Sequence, residues 1–314
     1  MKKTFHYTLA ASSLIAAAVL TACGGGGGDA PLPDKVVSIS FAALNGTTPV
    51  KCGTQVTAMG TTSLAADVKD LRFYLTKVSL VNDKGVAVPV KLDANKWQLT
   101  QGSETVSLID LEDATGACAT ASNTAETNSV ITGSVPAGTY VGLKATVGVP
   151  ELMNHSTATG GVPPLDSTAL LWSWQTGRKF TKIELNPVGG LIKPDSTSIP
   201  TYNLHLGSTG CTPKLDASGT AIPNSGTCTN PNMMDFTLAA FDSGSQKVAL
   251  DMGQLFKSSD LTKENGGAPG CMSGATDPEC PVMFTELQIS YGSGSTGLPI
   301  SGGAAQKIFK AVAK

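Results

Sequence analysis

Apolar residues along this chain mostly alternate with polar ones instead of recurring at helical spacing. Val37, Ile39 and Phe41 form one such face, and Leu71, Phe73 and Leu75 form another. The phase then slips to Val78 and Leu80, which predicts a bulge near Thr76 and Lys77. Val141, Leu143, Ala145, Val147 and Val149 make the cleanest strand, and further strands are expected over 183–185, 202–206, 236–241 and 286–291. Glycine and proline, 35 and 18 residues respectively, separate these runs and keep each one short. Short alternating strands with turn punctuation predict an all-β protein, an antiparallel β-sandwich with long disulfide-stapled loops and little helix. Only 250–264 has helical spacing, with Met252, Leu255, Phe256 and Leu261 expected to face inward.

The first residues depart from this pattern. Met-Lys-Lys, an apolar run over 9–20, and Leu20-Thr-Ala-Cys23 have the three parts of an export signal. The Leu-x-Ala-Cys ending resembles a bacterial lipoprotein signal, so 1–22 is expected to be removed and Cys23 to be lipidated. Several acyl chains on one residue hold a protein at a membrane durably where one chain does not. Residues 23–35 then form a Gly-rich tether, and 36–314 a single β domain. Gly24 after the cysteine favours the outer membrane by analogy with bacterial sorting. The expected location is the bacterial cell envelope, as an outer-membrane lipoprotein facing the periplasm or the cell surface. The apolar run is too short to span a bilayer as a helix.

Six of the seven cysteines follow Cys23, an even number that argues for disulfides in an exported protein. Six cysteines allow fifteen pairings. Neighbour spacing favours Cys211 with Cys228 and Cys271 with Cys280, leaving Cys52 with Cys118. A zinc site is disfavoured because no Cys-x-x-Cys occurs. The formal charge of −2 becomes more negative once Lys2 and Lys3 leave, and without a basic run nucleic acid is not an expected partner.

Catalytic motifs are missing: there is no Gly-x-Ser-x-Gly elbow, His-Glu-x-x-His or phosphate-binding loop. Asp67, Asp70, Asp110, Glu112 and Asp113 read as solvent-facing or turn-capping carboxylates rather than a glycosidase pair. Arg72 and Tyr74 share a strand face and read as cross-strand support, and Trp97 as packing. Two tryptophans, Trp172 and Trp174, sit two residues apart, which on a strand puts both rings on one face. The two histidines that follow the signal, His155 and His205, flank them in sequence.

Six segments, in order, resemble MbnP-like proteins, the four-Cys members of the metallo-mystery pair. They are Asp70-Leu-Arg-Phe-Tyr-Leu-Thr-Lys-Val-Ser-Leu80, Gly138-Thr-Tyr140, Gly148-Val-Pro-Glu-Leu-Met-Asn-His155, Leu171-Trp-Ser-Trp-Gln-Thr-Gly177, Phe180-Thr-Lys-Ile-Glu184 and His205-Leu-Gly-Ser-Thr-Gly-Cys211. The resemblance implies a partner similar to di-haem cytochrome c peroxidases, which oxidises a tryptophan to kynurenine, after which the protein binds copper. This chain would then be a substrate of the oxidase and not an enzyme. It departs from the family in carrying Arg178 where many relatives have an aromatic, and six cysteines beyond Cys23 instead of four.

The chemistry implied is coherent. An indole nitrogen only donates, so tryptophan is a poor ligand, whereas kynurenine exposes an aryl amine and a ketone. His155 and His205 supply two imidazoles suited to copper, and kynurenine from Trp172 or Trp174 a third donor. Met153 is a candidate soft fourth contact. If the 202–206 segment is a strand, His205 falls on the face opposite Tyr202, Leu204 and Leu206 and need not fill the core, while His155 lies on a loop. The alternative reading is a lipid-tethered β-sandwich for adhesion or ligand binding, which needs no metal. A hydrolase would need a nucleophile and base that the chain does not display.

Overall fold

The computed structural model describes residues 32–173 and 176–314. The signal segment, Cys23 with the tether up to residue 31, and Trp174 lie outside the described residues. Residues Pro33–Lys314 form one unit built on two sheets. The larger sheet is organised around the long strand Leu64–Asn82, which pairs antiparallel with Tyr140–Val147, Thr181–Pro187 and Glu104–Asp110. Met234–Leu238 extends it beyond Tyr140–Val147, and Tyr202–Leu204 extends it beyond Thr181–Pro187. In the smaller sheet the order is Phe309–Ala313, Gln246–Asp251, Lys35–Asn45, Val130–Val135 and Lys91–Leu92.

The two sheets meet through the faces that alternation marks as apolar. Phe41 of the smaller sheet meets Phe73 of the larger edge-on at 6.2 Å, and Phe309 stacks on Phe236 at 4.3 Å. Leu71, Leu75, Leu143, Val147 and Ile183 are buried in the same core. The slip in hydrophobic phase is a bulge: Thr146 pairs with Thr76 but Lys144 with Ser79, and Lys77 takes a positive φ of 53°.

Three expectations need correction. The sheets are mixed, because Lys35–Asn45 runs parallel to Gln246–Asp251 and Tyr202–Leu204 parallel to Gly270–Cys271. Strand pairing is set by the path of the intervening chain, which alternation does not encode. The strand expected over 286–291 does not form: the helix Cys280–Leu287, with Pro281 at its start, takes the first of these residues, and a single bridge from Ile289 to Pro299 follows. Met283, Phe284 and Leu287 lie on its buried side, and Gln288 ends it in the left-handed conformation at φ 54°. The helix expected over 250–264 shrinks to Met252–Phe256, capped by Asp251 accepting from the Gln254 amide at 3.0 Å. Met252, Leu255, Phe256 and Leu261 are nevertheless all buried.

Three disulfides join Cys52 to Cys118, Cys211 to Cys228 and Cys271 to Cys280, the pairing that spacing favours. The first fastens the loop over 111–128 to the segment before the long strand, and the second crosses a two-stranded ribbon made of Thr209–Thr212 and Thr227–Asn230. No helix among the described residues is long and apolar enough to cross a membrane.

Candidate functional site

The site is built on the outer face of the larger sheet. Along Leu64–Asn82, Leu71 and Phe73 point into the sandwich, so Asp70, Arg72 and Tyr74 point the other way. Register places Lys182 beside Arg72, Glu184 beside Asp70, and Asn203 beside Glu184. These positions make a charged layer in which Arg72 and Lys182 both donate to Asp70, and Lys182 and Lys69 each lie 3.3 Å from Glu184. Loop residues close over it: the Arg72 guanidinium donates to Asn123 Oδ1 at 2.9 Å. Asp70, Asp110 and Glu112 are therefore buried, contrary to the solvent-facing role expected of them, because a loop long enough to cover them is tied down by Cys118. Asp113 does cap a turn, accepting from the Thr115 amide and hydroxyl. Asp110 is pushed up to about 7, chiefly by burial, with the Arg72 charge opposing.

His205 lies at the end of this layer. Its imidazole is buried rather than solvent-facing, and its Nε2 is 2.8 Å from Glu184 Oε1. Its Nδ1 is buried without a hydrogen-bond partner. Burial lowers the imidazole below its ordinary value, against the pull of Glu184, so the ring is neutral at neutral pH. Burial raises Glu184, but the His205 hydrogen bond and the Lys182 and Lys69 charges outweigh it, holding the carboxylate ionised well below the usual range. An ionised carboxylate accepts only, so the neutral ring donates through Nε2–H and keeps the Nδ1 lone pair free. A histidine held by a carboxylate through one nitrogen with the other available is the arrangement of a metal-ligating imidazole.

His155 ends the short helix Glu151–Asn154 and is equally buried. Arg178, fully buried, braces it from below. Its Nη1 donates to the carbonyls of Met153, Asn154 and Ser156 at 3.0, 3.1 and 2.9 Å, and its Nη2 donates to that of Leu165. The Arg178 amide donates to Asn154 Oδ1 at 2.8 Å. Arg178 thus clamps the backbone on both sides of His155, a role that sequence reasoning missed; the cue was an arginine between two matched segments, standing where many relatives have an aromatic. Met153 packs in the hydrophobic core. Trp97 also packs against the core.

The His155 ring faces the disulfide ribbon, with Nε2 3.4 Å from Cys228 Sγ. A Cβ added at Gly226 would lie 2.7 Å from His155 Nδ1, so only glycine lets the ribbon approach the ring. Trp172, on the strand Leu171–Ser173, is half-buried and lies across Gly207, where a Cβ would sit 2.5 Å from Cζ3 of the indole. Its ring borders a cavity of about 310 Å³ shared with Thr176, Ser208, Thr209, Gly210, Cys211 and Met272. The fold therefore brings Trp172, the His205-Leu-Gly-Ser segment and the Cys211–Cys228 ribbon together, and His155 meets the same ribbon. Among the described residues, the group of three or more potential ligands within 4.8 Å of one another is His155 with Cys211 and Cys228; His205 is not in it.

The MbnP family model matches residues 34–273. The structure is similar to that of MbnP from Methylosinus trichosporium, with a TM-score of 0.79 and 34% sequence identity. That similarity covers 90% of this chain and 99% of the other. No curated protein matches the sequence.

Proposed function

The chain belongs to the MbnP family, and on that premise we propose that it binds copper at a site completed by oxidation of Trp172 or Trp174 to kynurenine. A di-haem cytochrome c peroxidase-like partner performs the oxidation, so this chain is the substrate and not the catalyst. His155 and His205 each supply an imidazole nitrogen, and the kynurenine amine or ketone supplies a further donor. Copper suits such nitrogen ligands, and a mononuclear site under-filled by two histidines needs the third. The observation that carries this reading is His205: a buried ring whose Nε2 is committed to Glu184 while Nδ1 has no partner. Leaving a buried polar atom unpaired costs about 1–3 kcal/mol, a cost that a bound cation removes. The protein is placed in the cell envelope by lipid on Cys23, a location where the disulfides persist.

Co-production with the di-haem partner tests the proposal. One tryptophan becoming kynurenine loses a carbon and gains an oxygen, raising the intact mass by about 4 Da. Peptide mapping of the same sample chooses between Trp172 and Trp174. Unmodified protein after co-production, or copper binding unchanged in both His155→Ala and His205→Ala, refutes the assignment.

A further inference from the structure

The Cys211–Cys228 disulfide stands apart from the other two. Cys118, Cys271 and Cys280 are fully buried and Cys52 is nearly so, whereas Cys211 and Cys228 are both partly exposed, and Cys211 borders the cavity beside Trp172. Thiol–disulfide exchange requires a thiolate to reach a sulfur, so access selects this bond for reduction. The two cysteines are direct partners in the ribbon, with Cα atoms 3.9 Å apart, so breaking the sulfur–sulfur bond leaves both thiols side by side. His155 already faces them.

We propose that reduction of Cys211–Cys228 creates a Cys211/Cys228/His155 site for a single thiophilic cation of the Cu(I) class, gated by redox state and independent of the tryptophan step. The geometry fits. With metal–sulfur and metal–nitrogen bonds of about 2.3 and 2.05 Å, a tetrahedral ion sets its nitrogen and sulfur ligands about 3.6 Å apart and two sulfurs about 3.8 Å apart. His155 Nε2 lies 3.4 Å from Cys228 Sγ, close to that nitrogen–sulfur edge, and the ligand atoms of all three residues fall within 4.8 Å. Opening the sulfurs from bonding distance to the required separation needs only rotation about the cysteine side chains. Met272, on the same cavity, offers a thioether of matching softness. Two thiolates with an imidazole are donors that select soft cations over hard ones.

The chemistry balances with an external thiol: two R–SH reduce the bond, giving Cys211–SH, Cys228–SH and R–S–S–R, with two electrons passing to the cysteine sulfurs. Binding of the cation then releases the two thiol protons. In the oxidised state the same sulfurs carry no thiolate charge, so the site is closed.

The test uses the full-length processed protein made without the di-haem partner, so that both tryptophans are unmodified and failure here is separable from failure of the kynurenine reading. The protein is treated anaerobically with a mild dithiol, and free thiols are alkylated and mapped. Cys211 and Cys228 are expected to be labelled first, with the other four cysteines protected. Cu(I) alone is then titrated against a chromophoric competitor, and Cd(II) is added separately to read thiolate-to-metal charge transfer. The reduced protein is expected to bind one Cu(I) at least ~100-fold more tightly than the oxidised protein, and Cys211→Ser with Cys228→Ser, or His155→Ala, to remove most of that gain. Labelling of another pair first, equal affinity in the two redox states, or an unchanged gain in His155→Ala overturns the proposal. Should the double serine variant fail to fold, the wild-type labelling order and the His155→Ala titration still decide it.

Discussion

Replacing Arg178 by methionine tests whether the clamp around His155 is structural support for the site. Methionine keeps much of the side-chain volume and removes every donor. Met153 O retains other donors, the Ser156 amide and hydroxyl, whereas no other described partner serves Asn154 O, Ser156 O or Leu165 O. Each buried carbonyl left unsatisfied costs about 1–3 kcal/mol. Three such groups set an upper range well above the typical single substitution, but the variant also relieves the desolvation of a buried cation, the cause that lowers the Arg178 pKa. The net expectation is a loss of about 3 kcal/mol, which for a domain of this size lowers Tm by roughly 6–10 °C. Equilibrium denaturation of the unmodified protein measures the loss, with an unchanged m-value required for the comparison. Proteolysis at segment 156–165 should quicken by more than at the sheet, because three of the four lost acceptors lie in or beside it. Arg178→Lys should recover only part of the loss, since an ammonium cannot fork across four carbonyls. A loss below about 1 kcal/mol in Arg178→Met, with segment 156–165 as resistant as before, would refute the clamp.

Glu184→Gln leaves the His205 ring in place but removes the charge that fixes its tautomer; copper affinity of the kynurenine-bearing protein should fall by about 10–100-fold in competition titrations, while Asn203→Ala on the same face should change it little. Asp110, raised to about 7, holds its proton more tightly in the folded chain than in the unfolded one, so its contribution is full below the ordinary carboxylate range and lost as pH rises through about 7. The Tm of wild type relative to Asp110→Asn should therefore decline between about pH 4 and pH 8, and a flat difference counts against that burial effect. Gly207→Ala should displace the Trp172 indole, because the new methyl would lie 2.5 Å from Cζ3 and 2.6 Å from the Arg178 carbonyl. About 1–3 kcal/mol of stability should be lost, read by thermal unfolding, and a neutral result would show that the indole is not packed there.

The share of this architecture that the chain displays openly follows from local physics. Val37, Ile39, Phe41, Leu71 and Phe73 alternate because each strand has one face in the core, and the slip after Leu75 is visible because a single extra residue inverts that alternation. The helix Cys280–Leu287 escaped notice because eight residues bearing Pro281 and few polar positions carry too little periodicity, and the parallel pairings escaped because adjacency of distant strands leaves no local trace. At the site, the histidines and tryptophans stand out as rare residues in recognisable segments. Glu184 looks ordinary in its segment until pairing of Thr181–Pro187 with Tyr202–Leu204 brings it within hydrogen-bond distance of His205, and Arg178 stands out only as a departure from the family until the fold of 151–165 wraps carbonyls around it.

By itself, then, the amino-acid sequence determined that the chain is a disulfide-bearing β protein and which rare side chains are candidates for its chemistry, since both depend on residue type and near-neighbour spacing. Only the tertiary structure decided which nitrogen of His205 is free, that Asp70 and Glu184 are ionic members of a covered layer, and that His155 faces the Cys211–Cys228 bond. Those outcomes depend on which groups become neighbours after folding and on how far water is excluded from them, and neither quantity is a property of any short stretch of chain.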